Sequence, residues 1–159
     1  MEIKRISEGV SFAFHKTERF KTSVVSVSLI CPLDEKSSER ALLCYLLART
    51  NRSYPDIISM NRKLASLYGA VISPSVKKIG EAQVLTLALV MVDGRFSLDG
   101  KAVSDEAIRL LMDCIFSPDI TPDGFREENI QREKRLLIEK IESRKDEKRL
   151  YALDRMTEE

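Results

Sequence analysis

Histidine is nearly missing from this sequence, in which His15 is the only one among 159 residues. Imidazole is the commonest metal ligand of proteins and the general base of a Ser-His-Asp triad. A triad would have to use His15, and the sequence contains no Gly-x-Ser-x-Gly string around a nucleophile. A Cys-His dyad stays open, although His15 follows Phe14 at a strand end, where a surface histidine is the simpler interpretation. A single histidine therefore leaves little room for hydrolytic chemistry.

Cysteine and long apolar runs are also scarce. The three cysteines, Cys31, Cys44 and Cys114, lie in apolar stretches, which predicts buried free thiols in a reducing compartment. There is no Cys-x-x-Cys string and no phosphate-binding glycine loop. No apolar run reaches the roughly 18 to 20 residues of a membrane span, and residues 1–5 lack the apolar core of a signal peptide. We expect a cytoplasmic protein with no membrane partner.

An excess of charge of one sign is missing as well. Lys and Arg number 26 against 25 Asp and Glu, so the net charge is +1. A nucleic-acid partner is not expected, because binding phosphates by counterion release needs a basic excess. The sequence does have 43% apolar and 32% charged residues, which is typical of a folded globular protein. Its length fits one domain, residues 1–159.

Alternation and helical periodicity predict the elements of that domain. The predicted strands are residues 3–15 (one or two strands), 23–31, 70–78 and 83–92. The predicted helices are 39–48 (capped by Ser37 or Ser38), 55–69 (closed by Gly69), one opened by Ser104, and a charged helix from about 122 to the end with Ile130, Leu137 and Ile141 inside. The order β-β-α-α-β-β-α-α predicts an α+β fold, a mostly antiparallel sheet with helices packed on one face. Pro74 favours an edge position for strand 70–78.

Several local strings in this order resemble the first repeat of the pitrilysin/insulinase/mitochondrial-processing-peptidase family. They are Gly9-Val10-Ser11-Phe12, the strand at 25–33, the helix at 39–48, Tyr54-Pro55, the string Leu64-Ala65-Ser66-Leu67-Tyr68-Gly69-Ala70, the helix end Phe116-Ser117-Pro118, and the segment 125–141. The resemblance covers nearly the whole chain. It implies the N-terminal part of a peptidase-like repeat. Because the last predicted helix is still running at residue 159, we expect the chain to continue in a longer protein.

Active members of that family carry His-x-x-Glu-His on the buried helix. Two imidazoles one turn apart can hold zinc, while the carboxylate takes a proton from the bound water. Aligned with this sequence, the motif falls on the segment 41–45. Ala41 has no donor atom, Cys44 takes the place of the general base, and Tyr45 offers a phenol. When the later helix is aligned through Glu133, Lys140 takes the place of the third ligand.

These replacements predict that the chain binds no zinc. An ammonium about 4 Å from a divalent cation is repelled by on the order of 8 kcal/mol at an effective dielectric constant near 20. A register shift of one residue would bring Glu139 to the third ligand position, but catalytic zinc needs about three protein ligands. We therefore predict no metal, no cofactor and no catalytic residue in this chain, with Ala41, Cys44, Tyr45 and Lys140 as degenerate motif positions.

The resemblance also implies a role without catalysis. Metal-less subunits of this family pair with a catalytic relative and help to hold an extended peptide in a shared chamber. It therefore implies a heterodimer with a zinc peptidase that acts on a peptide or protein substrate. An extended peptide can add to a sheet edge, and the segment 70–78 is a candidate edge, although an ordinary solvated edge is the simpler interpretation. General proteolysis and the elongation factor P modification linked to motif-less bacterial members both stay open. So do two other functions, a zinc-dependent peptidase or hydrolase with catalytic groups outside this segment, and a protein-interaction scaffold.

Overall fold

A computed structural model describes residues 2–98, 101–146 and 156 of the chain. The strands are β1 (Glu2–Ser7), β2 (Val10–Phe14), β3 (Thr22–Pro32), β4 (Val71–Ile79) and β5 (Ala82–Val92). The helices are α1 (Ser37–Leu47), α2 (Ile57–Ser66), α3 (Lys101–Phe116) and α4 (Glu127–Asp146), with a 3-10 turn at Gly94–Phe96. This order agrees with the predicted α+β class. Across the described ranges, no helix is both long enough and apolar enough to span a bilayer.

The main sheet is antiparallel, with strand order β3-β5-β4. Strand β5 lies at its centre, and its alternate residues Leu85, Leu87, Leu89 and Met91 are at most 4% exposed. Helices α1 and α3 pack on β5, and α1 also packs on β4. The alternation in β5 therefore marks the covered face of the sheet, and the prediction of helices on one face is confirmed. Strand β4 lies at an edge of this sheet, as Pro74 predicts.

The opposite face of the main sheet is open to solvent within the described part of the chain. Val24 and Ile30 of β3 are 63% and 75% exposed, and Val71 of β4 and Val90 of β5 are also exposed. Ser28 and Thr86 share a hydrogen bond of 2.8 Å across β3 and β5 on this face. We call the side that carries Val24, Ile30, Val71 and Val90 the open sheet face. Its apolar residues are unusual for a surface, which makes it a candidate for self-association.

The N-terminal segment forms a hairpin of its own. Strands β1 and β2 pair with each other through the turn at Gly9, whose φ is +73°, and form a separate two-stranded sheet. Phe12 and Phe14 are both about half exposed, and their ring centroids are 6.4 Å apart. The prediction of one or two strands here thus resolves into two. They do not extend the main sheet among the described residues.

Three predicted helix starts are wrong, each for a local reason. Helix α1 has Lys36 at its cap without a side-chain hydrogen bond, because the Ser37 hydroxyl accepts from the Asp34 backbone N–H instead. Helix α3 already begins at Lys101, ahead of Ser104. Helix α4 begins only at Glu127, because Gly124, with φ +113°, closes a tight turn back to residue 121. The predicted end of that last helix lies outside the described residues.

A side-chain cap sets the start of helix α2, and a glycine sets its end. The Asp56 carboxylate accepts from the Ser59 N–H at 2.8 Å, which caps the first turn one residue after Pro55. Gly69, with φ +72°, closes the helix as predicted. The preceding Tyr68 also has positive φ, at +58°, a conformation uncommon for residues other than glycine. These two residues turn the chain from α2 directly into the edge strand β4.

Candidate functional site

Helices α1 and α4 meet along a line of polar side chains. Tyr45 lies in the last turn of α1 and Arg49 lies two residues beyond its end, while Glu133 and Lys140 are two turns apart on α4. Tyr45 contacts Lys140 and Arg49 contacts Glu133, so the two helices run in opposite directions. We call these four residues, together with Arg132, the α1–α4 seam. It contains two of the predicted motif positions, Tyr45 and Lys140.

Lys140 and Tyr45 are joined by a hydrogen bond. The Lys140 ammonium donates to the Tyr45 hydroxyl oxygen over 2.9 Å, and its nitrogen lies 5.1 Å from the centre of the tyrosine ring. The second distance is within the range of a cation–π contact. Lys140 is exposed and Tyr45 is half-buried. Two positions that lie 95 residues apart in sequence are therefore in direct contact.

Glu133 is the buried charge of the seam. It is 1% exposed, and its Oε1 lies 3.0 Å from Arg49 Nε and 3.6 Å from Arg132 Nε. Neither contact has hydrogen-bond geometry, and Glu133 Oε1 and Arg132 Nε have no hydrogen-bond partner among the described atoms. Two guanidinium groups therefore neutralise the carboxylate by charge alone. Removing one of them would leave a buried anion undercompensated.

Cys44 points away from the seam and into the core. Its Sγ lies 3.9 Å from the Ser75 carbonyl oxygen of β4 and 3.8 Å from the Thr86 carbonyl oxygen of β5. Burial raises the pKa of the Cys44 thiol, so the thiolate is disfavoured. This thiol is a packing group rather than a base. Ala41, one turn before Tyr45, is half-buried and contributes only a methyl group.

The donor groups at the seam do not fit a zinc ion. Zinc in catalytic sites takes about three N, O or S ligands from protein. Within residues 2–98 and 101–146, no three His, Cys, Asp or Glu side chains converge in a manner that could hold a metal. The carboxylate of Glu133 is occupied by guanidinium groups, and Glu139 pairs with Arg135 at 3.6 Å on the exposed side of α4.

No Cys-His dyad forms in the described part of the chain. His15 is exposed just after β2, and no hydrogen bond joins it to Cys31, Cys44 or Cys114. Cys114 is fully buried, and burial raises the pKa of its thiol to about 11. The Asn51 amide donates a hydrogen bond to its sulfur over 3.9 Å.

A cavity of about 540 Å³ opens beside the seam, between the start of α2 and the start of α4. Arg126 and Arg132 line it together with Asp56 and Glu128. Its charges are balanced, and Arg126 is already paired with Asp119 at 3.2 Å. Neither Tyr45 nor Lys140 lines this cavity. The cavity therefore adjoins the seam without including its exposed donors.

The Arg49–Glu133 pair was not predicted as part of the site. Glu133 lies three residues after Ile130 and four before Leu137, so it shares their inward stripe on α4. That spacing could have identified it as a buried carboxylate that needs a cationic partner. The prediction that Ile141 also belongs to this inward stripe is wrong, because Ile141 is 58% exposed. Arg49 carries no comparable signal, since it follows the last turn of α1.

Comparisons with known proteins show what the chain is similar to. No family model matches the chain. A protein of Bacillus subtilis (strain 168), named "Probable inactive metalloprotease YmfF", is 30% identical over 159 residues, which are 99% of this chain and 37% of that protein. A crystal structure of a conserved protein from Enterococcus faecalis V583 has 32% sequence identity and a TM-score of 0.75, over 86% of this chain and 32% of that one.

Both relatives are much longer than the region of similarity. The chain spans about a third of the length of each. With 32% sequence identity and a TM-score of 0.75, the Enterococcus protein shares the fold of this chain over the matched region. Along nearly its whole length, the chain is similar to a protein described as a probable inactive metalloprotease.

Proposed function

We propose that this chain is part of a non-catalytic subunit of the pitrilysin/insulinase type, which pairs with a zinc-bearing relative and helps to bind its peptide substrate. The observation that carries the proposal is the hydrogen bond from Lys140 to Tyr45. In an active member, a metal ligand would stand at each of these two positions. Here an ammonium and a phenol bind each other instead.

The chemistry of the seam supports a role without hydrolysis. An active site of this kind needs a polarising metal and a base for the attacking water. The position of the base is held by Cys44, whose thiol is buried and has a raised pKa. The nearest carboxylate of the seam, Glu133, is buried and neutralised by two arginines. No described group at the seam is free to accept a proton from water.

Peptide capture is supported by the position of strand β4. It pairs with β5 on one side, and no described strand pairs with its other side. An extended peptide can add to such an edge through main-chain hydrogen bonds. Its register with β5 is continuous from Val71 to Ile79, so no bulge interrupts the edge. Helix α1 packs directly on this strand, which brings the seam close to the proposed peptide site.

A combined measurement of zinc, cleavage and partner tests the proposal. We expect the purified protein to contain no stoichiometric zinc and to cleave no peptide. We also expect it to co-purify with a co-expressed relative that carries an intact His-x-x-Glu-His, and the pair to cleave peptides. Hydrogen exchange with added peptide should slow at the amides of β4, while α3 serves as the internal control.

Other outcomes would assign other functions. Stoichiometric zinc together with cleavage by the lone protein would show an active hydrolase. A protein that binds neither peptide nor a zinc-bearing relative would be a scaffold unrelated to proteolysis. Either result would overturn the proposed function.

A further inference from the structure

The Lys140–Tyr45 pair has hydrogen-bond donors left over. An ammonium carries three N–H groups, and only one of those on Lys140 has a partner, the Tyr45 oxygen, among the described residues. The Tyr45 hydroxyl accepts that bond, so its own proton stays available for donation. Lys140 is exposed and Tyr45 is half-buried. Together they present N–H and O–H donors on an accessible side of the seam.

Positive charge is in excess around these donors. Arg49, Arg132 and Lys140 carry three positive charges, and Glu133 is the one carboxylate that they contact in the described structure. The Arg135–Glu139 ion pair is highly exposed, and its two charges cancel. Lys140 lies two helical turns, about 10 Å, from Glu133. That spacing slightly exceeds the Debye length at physiological salt, so screening leaves the arginines only a small effect on the potential at Lys140.

Tyr45 lies on the helix that packs against the strand at which we propose a peptide to bind. Tyr45 directly follows Cys44, whose Sγ lies 3.9 Å from the Ser75 carbonyl oxygen in β4. A peptide added to β4 would turn alternate side chains toward the face of the sheet that the helices cover. The seam therefore lies on the same side of the sheet as every second side chain of that peptide.

We propose that Lys140 and Tyr45 form a carboxylate-binding point for the peptide, so that the substrate is an acidic peptide. This inference rests on the proposed capture of peptide by β4. Two groups can supply the carboxylate: the side chain of Asp or Glu, and the C-terminus of the peptide. Both offer the two oxygens that charged and neutral donors bind in short, charge-assisted hydrogen bonds.

Matched peptides test this proposal by fluorescence anisotropy with the purified protein. Each peptide is about eight residues long, rich in Val and Thr, and labelled at its N-terminus. The first has two adjacent central Glu residues and an amidated C-terminus, so one Glu faces the helices in either register. The second has Gln in place of Glu and a free C-terminal carboxylate. The third has Gln and an amide, and is the neutral reference.

We expect at least one carboxylate peptide to bind about tenfold more tightly than the neutral reference, which is the usual worth of a charge-assisted hydrogen bond. The first and second peptides distinguish the two sources of the carboxylate. Lys140→Gln and, separately, Tyr45→Phe should reduce the preference to about twofold or less. Lys134→Gln, which removes the same charge elsewhere on α4, should keep it and serves as the matched control.

Each other outcome decides against the carboxylate-binding point. Equal affinity for all three peptides would overturn it and leave peptide capture by β4 standing. A preference that survives both Lys140→Gln and Tyr45→Phe would place the carboxylate elsewhere, and so overturn the assignment to this pair. If none of the three peptides binds, the carboxylate-binding point and the proposed peptide capture both fail.

Discussion

At the scale of single residues, Lys140 is the side chain that most strongly limits what the α1–α4 seam can bind. Its ammonium donates a hydrogen bond to the Tyr45 hydroxyl, and these are two of the positions at which the resemblance implies metal ligands in active relatives. Repulsion between an ammonium and a divalent cation is large even at an effective dielectric constant near 20. Ala41 contributes no donor atom, although it lies one turn before Tyr45 on the same face of α1.

Introducing zinc ligands at Ala41, Tyr45 and Lys140 tests whether these residues are degenerate motif positions. We expect the triple variant Ala41→His, Tyr45→His and Lys140→Glu to bind one equivalent of zinc, because two imidazoles and a carboxylate form a common zinc donor set. The double variant Ala41→His and Tyr45→His, which keeps Lys140, is the matched control. It should bind zinc at least about a hundredfold more weakly. Isothermal titration with zinc measures both affinities.

Equal zinc affinities for the double and triple variants would contradict the assignment of Lys140. No zinc binding by a folded triple variant would contradict the whole set. Circular dichroism spectra of the variants confirm that they are folded before titration.

At the scale of elements, an ion pair with a buried carboxylate joins α4 to α1. We expect Arg49→Ala to lower the free energy of unfolding by about 2 to 3 kcal/mol, because only Arg132 then remains near the buried Glu133. Arg135→Ala, which breaks the exposed Arg135–Glu139 pair, is the matched control and should cost less than about 0.5 kcal/mol. Urea unfolding followed by circular dichroism gives both values.

A double-mutant cycle then measures the coupling of the pair. Replacing Arg49 and Glu133 together by Leu should cost clearly less than the sum of the two single changes, since the buried carboxylate is then removed together with the cation that compensates it. Additive losses would show that the two side chains do not depend on each other, contrary to their 3.0 Å contact.

The elements were predictable where burial follows a simple period. Strand β5 is an example, because each alternate apolar residue from Leu85 to Met91 is buried. Helix starts were less predictable, since the Ser37 hydroxyl binds the Asp34 N–H rather than the helix end. The resemblance assigns motif positions to Ala41, Cys44 and Tyr45, and helical spacing puts Ala41 and Tyr45 one turn apart on α1. The Arg49–Glu133 pair could not be predicted in this way, because its geometry depends on how α1 and α4 pack.

At the scale of the whole molecule, the open sheet face presents several apolar side chains to solvent. Apolar patches of this kind are usually covered by another surface. We expect the purified chain to self-associate as its concentration rises. The double variant Val24→Lys and Ile30→Lys should remove this association, while Ile58→Lys, at an equally exposed position on α2, is the matched control and should keep it.

Sedimentation velocity over a concentration series measures the association. A wild-type chain that stays monomeric at high concentration would contradict the prediction. An Ile58→Lys variant that dissociates as fully as the double variant would show that net charge, and not the sheet face, governs association.

The hydrogen bond between Lys140 and Tyr45 has a physiological consequence of its own. A helix contact held by a zinc ion depends on how much free metal the cell buffers and loosens when a chelator competes for it. A hydrogen bond between an amine and a phenol forms when the chain folds and needs no metal. Its strength varies with ionic strength instead. The junction of α1 and α4 would then stay intact at metal concentrations too low to hold a zinc-dependent contact.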